Sequence, residues 1–336
     1  MIIINFLKIA FILGFLIFIH EGGHFLAAKL FNIKVEKFSI GFGPRIITKK
    51  SKETEYSVSL IPFGGYVQML GETERNEDKR SFNNAKLWKR MVVVLAGPFV
   101  NIIFAIIVYF ILIMFSSVIV MPVVAEILPE AEENLCEIKV EDRIIEMNGK
   151  KIRTVEDLNN KLYGNNGESV NIKVLREGTI LEFEVNPTFY EERYILGIVM
   201  KYSEDFTFKE RTYYSYWKTI GFVSSVGESI KLLLTGRVGL NQMTGPVGIS
   251  NIVVKTTGLQ NFINLLALIS VSLGVTNLLP IPALDGGRLL LLIVEGVRRK
   301  PLEENLEMQI QAIGFSFLII LSIYVTYNDI FRIFER

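Results

Sequence analysis

Residues 3–27, 91–116, 261–279 and 310–327 are each apolar for long enough to cross a bilayer, which takes about 20 residues. Backbone inside lipid must satisfy its own hydrogen bonds, so these four segments are expected to be helices of a polytopic membrane protein. Hydrophobic residues make up 50% of the chain and the mean hydropathy is +0.37, more apolar than a soluble domain of this length. After the first segment the apolar run continues through His20-Glu21-Gly22-Gly23-His24 into Phe25-Leu26-Ala27-Ala28. That continuity reads as a retained membrane helix and not as a leader with a cleavage site.

Charge assigns the sides. Residues 29–90 hold thirteen Lys/Arg against seven Asp/Glu, whereas residues 117–260 hold sixteen against twenty. The positive-inside rule places residues 29–90 in the cytoplasm, together with Arg288, Arg298, Arg299 and Lys300. Both termini and the long central region then lie on the outer side of the membrane. The net charge of +1 gives no field for nucleic acid. The single cysteine, Cys136, excludes an internal disulfide and reads as a small buried side chain.

Between the membrane segments the pattern changes. Residues 34–69 read as strands and turns, with turn signals at Gly41-Phe42-Gly43-Pro44 and at Gly64-Gly65 inside the β-prone run Ile61 to Met69. Residues 72–90 read as a charged connection. Residues 121–187 read as a compact inserted domain: strands at Val123–Leu128, Asp142–Met147, Val170–Leu175 and Ile180–Val185, and a helix from Thr154 with Asp157 three residues on. Strands around a short helix at this size resemble a PDZ domain. Residues 188–260 form a further segment outside the membrane, whose Tyr213, Tyr214, Tyr216 and Trp217 fit either an interfacial aromatic helix or packing against the insert. The organisation expected is therefore a membrane half (1–116), a PDZ-like insert (121–187), an interfacial segment (188–260) and a second membrane half (261–336).

The only two histidines are His20 and His24, four apart in the first membrane segment. Four residues on a helix is one turn, so both imidazoles share a face and can grip one zinc ion. Glu21 lies beside them, placed to take a proton from water attacking a carbonyl, which is the H-E-x-x-H arrangement. Ionisable residues at that depth are costly and mark function, and a divalent cation is the simplest compensation. Catalytic zinc takes three protein ligands. With no third histidine the last must be Asp, Glu or Cys. Asp285 is the best placed, in Asn277-Leu278-Leu279-Pro280-Ile281-Pro282-Ala283-Leu284-Asp285-Gly286-Gly287, because it follows the third segment on the same side. Pro280 and Pro282 break the helix there, and freed backbone inside a membrane lines a cavity.

These residues bring a family into view. The chain resembles the site-2 proteases, in their bacterial RseP-type branch of intramembrane zinc metalloproteases, here with one PDZ domain. The likeness rests on His20-Glu21-Gly22-Gly23-His24, on Gly41-Phe42-Gly43-Pro44 and Ile61 to Val67, and on Ala96-Gly97-Pro98 with Asn101. It continues in Gly245-Pro246-Val247-Gly248-Ile249 and in the Asn277-to-Gly287 segment. The resemblance implies regulated intramembrane proteolysis of single-pass membrane proteins, such as anti-sigma factors or signal-peptide remnants, already trimmed outside by another protease. His20, His24 and Asp285 would bind zinc and Glu21 would be the base. Asn277 would act in catalysis, holding substrate backbone or the developing oxyanion. Gly64, Gly65 and Tyr66, in a membrane-associated β region, would pair with an unwound substrate. Relatives often have glycine where this chain has Glu137 and Glu141, so the insert is expected to gate access as readily as to bind a peptide terminus. The competing readings are a metal transporter or sensor in the membrane, and a PDZ scaffold without proteolysis.

Overall fold

The computed structural model describes residues 2–334 except 73, 75, 117, 136, 163–164, 191–192, 204–205, 237–238 and 240–242, so the expectation for Cys136 lies outside the described residues. The chain divides into two compact units, residues 1–105 with 240–336, and residues 106–239.

In the first unit, helix α1 (Ile2–Leu30) is followed by two long strands, β1 (Val35–Lys50) and β2 (Glu55–Met69), and by helix α2 (Leu87–Met114), whose later part belongs to the second unit. Among the described residues, four helices are long and apolar enough to span a membrane: Ile4–Leu30, Leu87–Met114, Leu259–Asn277 and Glu304–Arg332. They coincide with the four apolar segments to within a few residues, except that the last runs longer at both ends. The protein is an integral membrane protein with a β region and a further sheet domain.

β1 and β2 bend, and so make four antiparallel segments. Val35, Phe38 and Ile40 face Met69, Val67 and Gly65, while Phe38 and Ile40 also face Tyr56 and Val58; farther along, Arg45 to Lys50 return against Ser59 to Glu55. The bends fall at the Gly-Phe-Gly-Pro and Gly-Gly turns, where Gly41, Gly43 and Gly64 have positive φ, conformations that glycine adopts without strain. Gly65–Met69 is therefore an edge: Val35–Ile40 lies on one side, and no strand of the described residues lies on the other. The sheet's inner end joins the core of Ala28, Ile33, Val35, Phe38, Val67, Met69, Phe82, Val93, Val94 and Leu292. Phe82 thus anchors what its charged neighbours make look like a loose connection. At the far end Phe42, Ile46, Ile47, Leu60 and Ile61 are exposed and apolar, as a sheet in contact with lipid would be.

The second half of this unit holds α5 (Pro246–Lys255), α6 (Leu259–Asn277), α7 (Asp285–Arg298) and α8 (Glu304–Phe334). α5 and α6 pack on α1 through Ile12, Leu16, Val253 and Leu266. Asp329, buried on α8, accepts from the backbone N–H groups of Gly245 and Gly248 and so caps the start of α5.

The second unit carries β3 (Ile119–Ile127), β4 (Arg143–Met147), β5 (Lys150–Lys151), α3 (Val155–Leu162), β6 (Val170–Arg176) and β7 (Thr179–Val185). β8 (Thr188–Tyr190), β9 (Arg193–Ile195), β10 (Ile198–Ser203) and helix α4 (Phe208–Leu234) follow. One sheet runs β10-β3-β4-β6-β7, with β5 on β4, over a core that includes Val124, Ile144, Met147, Leu158, Ile172 and Val174. Asn148 and Gly149, both at positive φ, turn β4 into β5. The Thr154 N–H donates to the Asp157 carboxylate and the Asp157 N–H to the Thr154 hydroxyl, a capping box at the start of α3. The sheet continues past residue 187 through β10. α4 lies on α3: Lys218 pairs with Glu156 at 3.2 Å, Asn160 donates to the Gly221 carbonyl at 3.1 Å, and the Arg153 guanidinium sits 3.7 Å over the Trp217 ring. Tyr214 is buried, while Tyr213 and Tyr216 remain exposed.

Candidate metal centre

The site begins with the crossing of α1 and α2. A Cβ on Gly23 would collide with the Ala96 carbonyl, and a Cβ on Gly97 would collide with the His24 ring. Two glycines therefore let the helix backbones approach, as small residues do between membrane helices. Gly22 has open space around a Cβ, so the second Gly of His-Glu-Gly-Gly-His carries the contact.

Asp285 is brought in by a rigid turn. α6 stops at Asn277, because Pro280 and Pro282 cannot continue a helix and bias their predecessors away from it. The chain reverses through Ala283, at φ 74, whose N–H donates to Gln311 on α8 at 2.6 Å. α7 then starts at Asp285. A side chain on Gly286 would strike the Leu278 and Leu279 carbonyls, and one on Gly287 the Ile281 carbonyl. The Asp-Gly-Gly sequence is thus a carboxylate followed by two positions where only glycine fits.

The three expected ligands converge. His20 Nε2 is 3.1 Å from Asp285 Oδ2, His24 Nε2 is 3.6 Å from Asp285 Oδ1, and the two Nε2 atoms are 3.2 Å apart. Ligand atoms at about 2.0–2.1 Å from a tetrahedral zinc lie about 3.4 Å from one another. The spacing and the donor set of two imidazoles and one carboxylate therefore fit that ion. Both histidines are buried. His24 Nδ1 lies 2.8 Å from the Val93 carbonyl, and His20 Nδ1 lies 3.3 Å from the Asn101 carboxamide, so each ring turns Nε2 inward.

A cavity of about 480 Å³ opens on this cluster, and its lining includes Glu21, Asn277, Gly64, Gly65 and Tyr66. All the residues expected from the sequence to bind metal, base or substrate thus reach one space. Gly65 is packed under Glu21: a Cβ there would lie 3.3 Å from the Glu21 Cγ and 2.8 Å from the Ser39 carbonyl. Two further residues in the wall had no signal of their own in the sequence. Arg288, one turn beyond Asp285, pairs with Glu72, whose other oxygen accepts from the Met69 N–H at 2.8 Å. The α7 helix is thereby tied to the end of the edge segment Gly65–Met69.

The comparisons with known proteins agree with this geometry. Residues 8–321 match the family model described as peptidase family M50. A Clostridium acetobutylicum protein, named provisionally as a zinc metalloprotease, is 37% identical over 321 residues, covering 94% of each chain. The zinc metalloprotease RasP of Geobacillus kaustophilus is 29% identical, over 96% of this chain and 97% of its own length. The regulator of sigma-W protease RasP of Bacillus subtilis is likewise 29% identical, over 97% and 98%. A family match across nearly the whole chain, with both helices and the Asp-Gly-Gly turn inside it, makes this protein a member of peptidase family M50, the site-2 proteases that its motifs resemble.

Proposed function

We propose that this peptidase is a zinc enzyme that cuts single-pass membrane proteins within or near their membrane helix, with anti-sigma factors and signal-peptide remnants as the substrate class. The observation that carries the reading is the convergence of His20, His24 and Asp285 at tetrahedral spacing, on segments from both ends of the chain, with Glu21 in the same cavity. Zinc, when bound, polarises water and the scissile carbonyl and stabilises the charge that develops there. Glu21 takes the proton from the attacking water and passes it to the leaving amine. The Asn277 carboxamide donates to the oxyanion or to substrate backbone.

A peptide bond in a helix is covered by its own hydrogen bonds, so the substrate must unwind before attack. Unwound backbone needs new partners within the protein. The Gly65–Met69 edge, open on one side and lining the cavity, offers them by β-addition. The name of the Bacillus relative, a regulator of sigma-W, supports anti-sigma-type substrates. We assign residues 29–90 to the cytoplasmic side and both termini and the sheet domain to the outside, on the Lys/Arg asymmetry. The PDZ-like insert would then meet substrates that another protease has already shortened.

The test is Glu21→Gln in the full chain, co-expressed with tagged single-pass substrates. The expected result is full zinc content and no shortened product. Retained cleavage removes Glu21 from the chemistry; a chain that never binds zinc removes the metalloprotease reading.

A further inference from the structure

Asn101 is fully buried in the first unit, on α2. Its backbone carbonyl accepts the Ser270 hydroxyl of α6 at 2.9 Å, and a Cβ on Gly274 would lie 3.4 Å from its own Cβ. α6 therefore presses on this residue and leaves its side chain little room. The carboxamide points at His20, with Nδ2 3.3 Å from the imidazole Nδ1, and its Oδ1 is buried with no hydrogen-bond partner among the described residues.

A neutral imidazole that offers Nε2 to a metal carries its proton on Nδ1, and Nδ1 is then a donor. His24 meets that requirement with a group that can only accept, the Val93 carbonyl. His20 has no backbone carbonyl in that role; it has Asn101. A carboxamide is both donor and acceptor, and a half-turn about its last bond exchanges the two atoms. With the oxygen toward His20, the orphaned Oδ1 gains a donor and the imidazole Nε2 is left bare toward Asp285. With the nitrogen toward His20, two donors face each other whenever Nε2 is to bind metal.

We propose that Asn101 is a positioning residue for the metal centre: its amide oxygen accepts from His20 Nδ1–H and fixes the ring in the tautomer that presents Nε2 to the ion. This rests on the reading of His20 as a ligand. It gives Asn101 and Asn277 different work, Asn277 opening on the cavity and Asn101 standing behind a ligand. It also explains why a polar side chain is kept in an otherwise apolar stretch of α2, where an unpaired carboxamide is costly.

The chain has only two histidines, so selective ¹⁵N labelling of histidine in the full-length protein yields just two rings. With zinc on Nε2 both rings carry their proton on Nδ1, and in zinc-loaded wild type both Nδ1–H groups are expected to be hydrogen-bonded, seen as downfield-shifted ring N–H protons. Asn101→Leu should remove the hydrogen bond from the His20 Nδ1–H, seen as an upfield shift that His24 does not share, and should weaken zinc binding, read by chelator competition, about 10- to 100-fold. Asn101→Asp keeps an acceptor at the same place and should hold both the Nδ1–H hydrogen bond and zinc affinity near wild type. A His20 Nδ1–H without a hydrogen bond in the zinc-loaded wild type overturns the proposal without any variant, so a failure of Asn101→Leu to fold does not protect it. Loss of affinity in Asn101→Asp equal to that in Asn101→Leu also overturns it, since packing and not the acceptor would then be at work. Wild type that binds no zinc overturns the metal reading and this proposal with it; wild type that binds zinc while its His20 Nδ1–H makes no hydrogen bond overturns the proposal for Asn101 alone.

Discussion

Gly97 stands where any side chain would occupy the space of the His24 imidazole. The metal centre is thus shaped by a hydrogen atom on one helix as much as by a ligand on the other. The same crossing needs Gly23 against the Ala96 carbonyl, so the separation of α1 and α2 and the pose of the second histidine are one property.

Gly97→Ala should therefore displace the His24 ring. A loss of at least about tenfold in zinc affinity is expected, in the range of changes that misorient a metal ligand. Gly22→Ala is the comparison, since that position has space. Equal zinc binding by Gly97→Ala and wild type would contradict the crowding.

Asp285→Ala or His20→Ala should strip the single zinc from purified protein, because a site with three protein ligands loses most of its affinity with any one. Metal analysis of the folded chain reads this directly. Full zinc in Asp285→Ala would mean that another residue completes the site.

The Glu72–Arg288 pair ties α7 to the edge segment. Arg288→Met should loosen that segment and destabilise the unit by about 2 kcal/mol, within the range between exposed and buried pairs. Zinc content should persist, since no ligand is touched, while the KM for substrate rises more than kcat falls. Arg288→Lys should recover much of the loss. A fall in kcat alone would place Arg288 in the chemistry.

In the sheet domain, Asp142 is buried and accepts from Arg176 and from the Lys139 N–H. Burial alone would raise its carboxyl; the Arg176 and Lys139 contacts outweigh that and hold it below the usual carboxylate range. A carboxylate lowered on folding contributes stability above its unfolded value of about 4, and the contribution is lost as pH falls through the folded value. Exchange protection in β4 and β6 of the full chain, corrected for the base-catalysed intrinsic rate, should therefore fall in acid relative to pH 7. Asp142→Asn should lower that protection at pH 7 by about 3 kcal/mol equivalent and flatten the acid dependence. An unchanged acid slope would show that other groups set it.

Replacing residues 119–203, the whole sheet, by a short linker should leave the zinc site intact, because every ligand lies in the other unit. If the insert filters substrates by the bulk of their outer domains, the deleted enzyme should cut an untrimmed substrate that wild type refuses. A deleted enzyme that cuts trimmed substrate and still refuses the untrimmed one would assign the insert another role, such as holding a partner.

The sequence by itself determined the four spanning helices, since a run of about 20 apolar residues has no other stable state in lipid. It also determined the pairing of His20 with His24, because helical periodicity alone puts residues four apart on one face. The capping box at Thr154 and Asp157 was legible for the same reason: it is a local rule with a local cause. Tertiary structure decided the contacts between distant segments. The bending of β1 and β2 into four segments, with Gly65–Met69 at an edge, depends on a register that no single strand specifies. β10 joins β3 from beyond the expected end of the insert, because an edge strand is defined by its neighbour and not by its own pattern. Above all, Asn101 reads in the sequence as one polar residue in an apolar helix. Only the packing of α2 against α1 and α6 sets it 3.3 Å from His20, where a hydrogen bond can choose which imidazole nitrogen faces the metal.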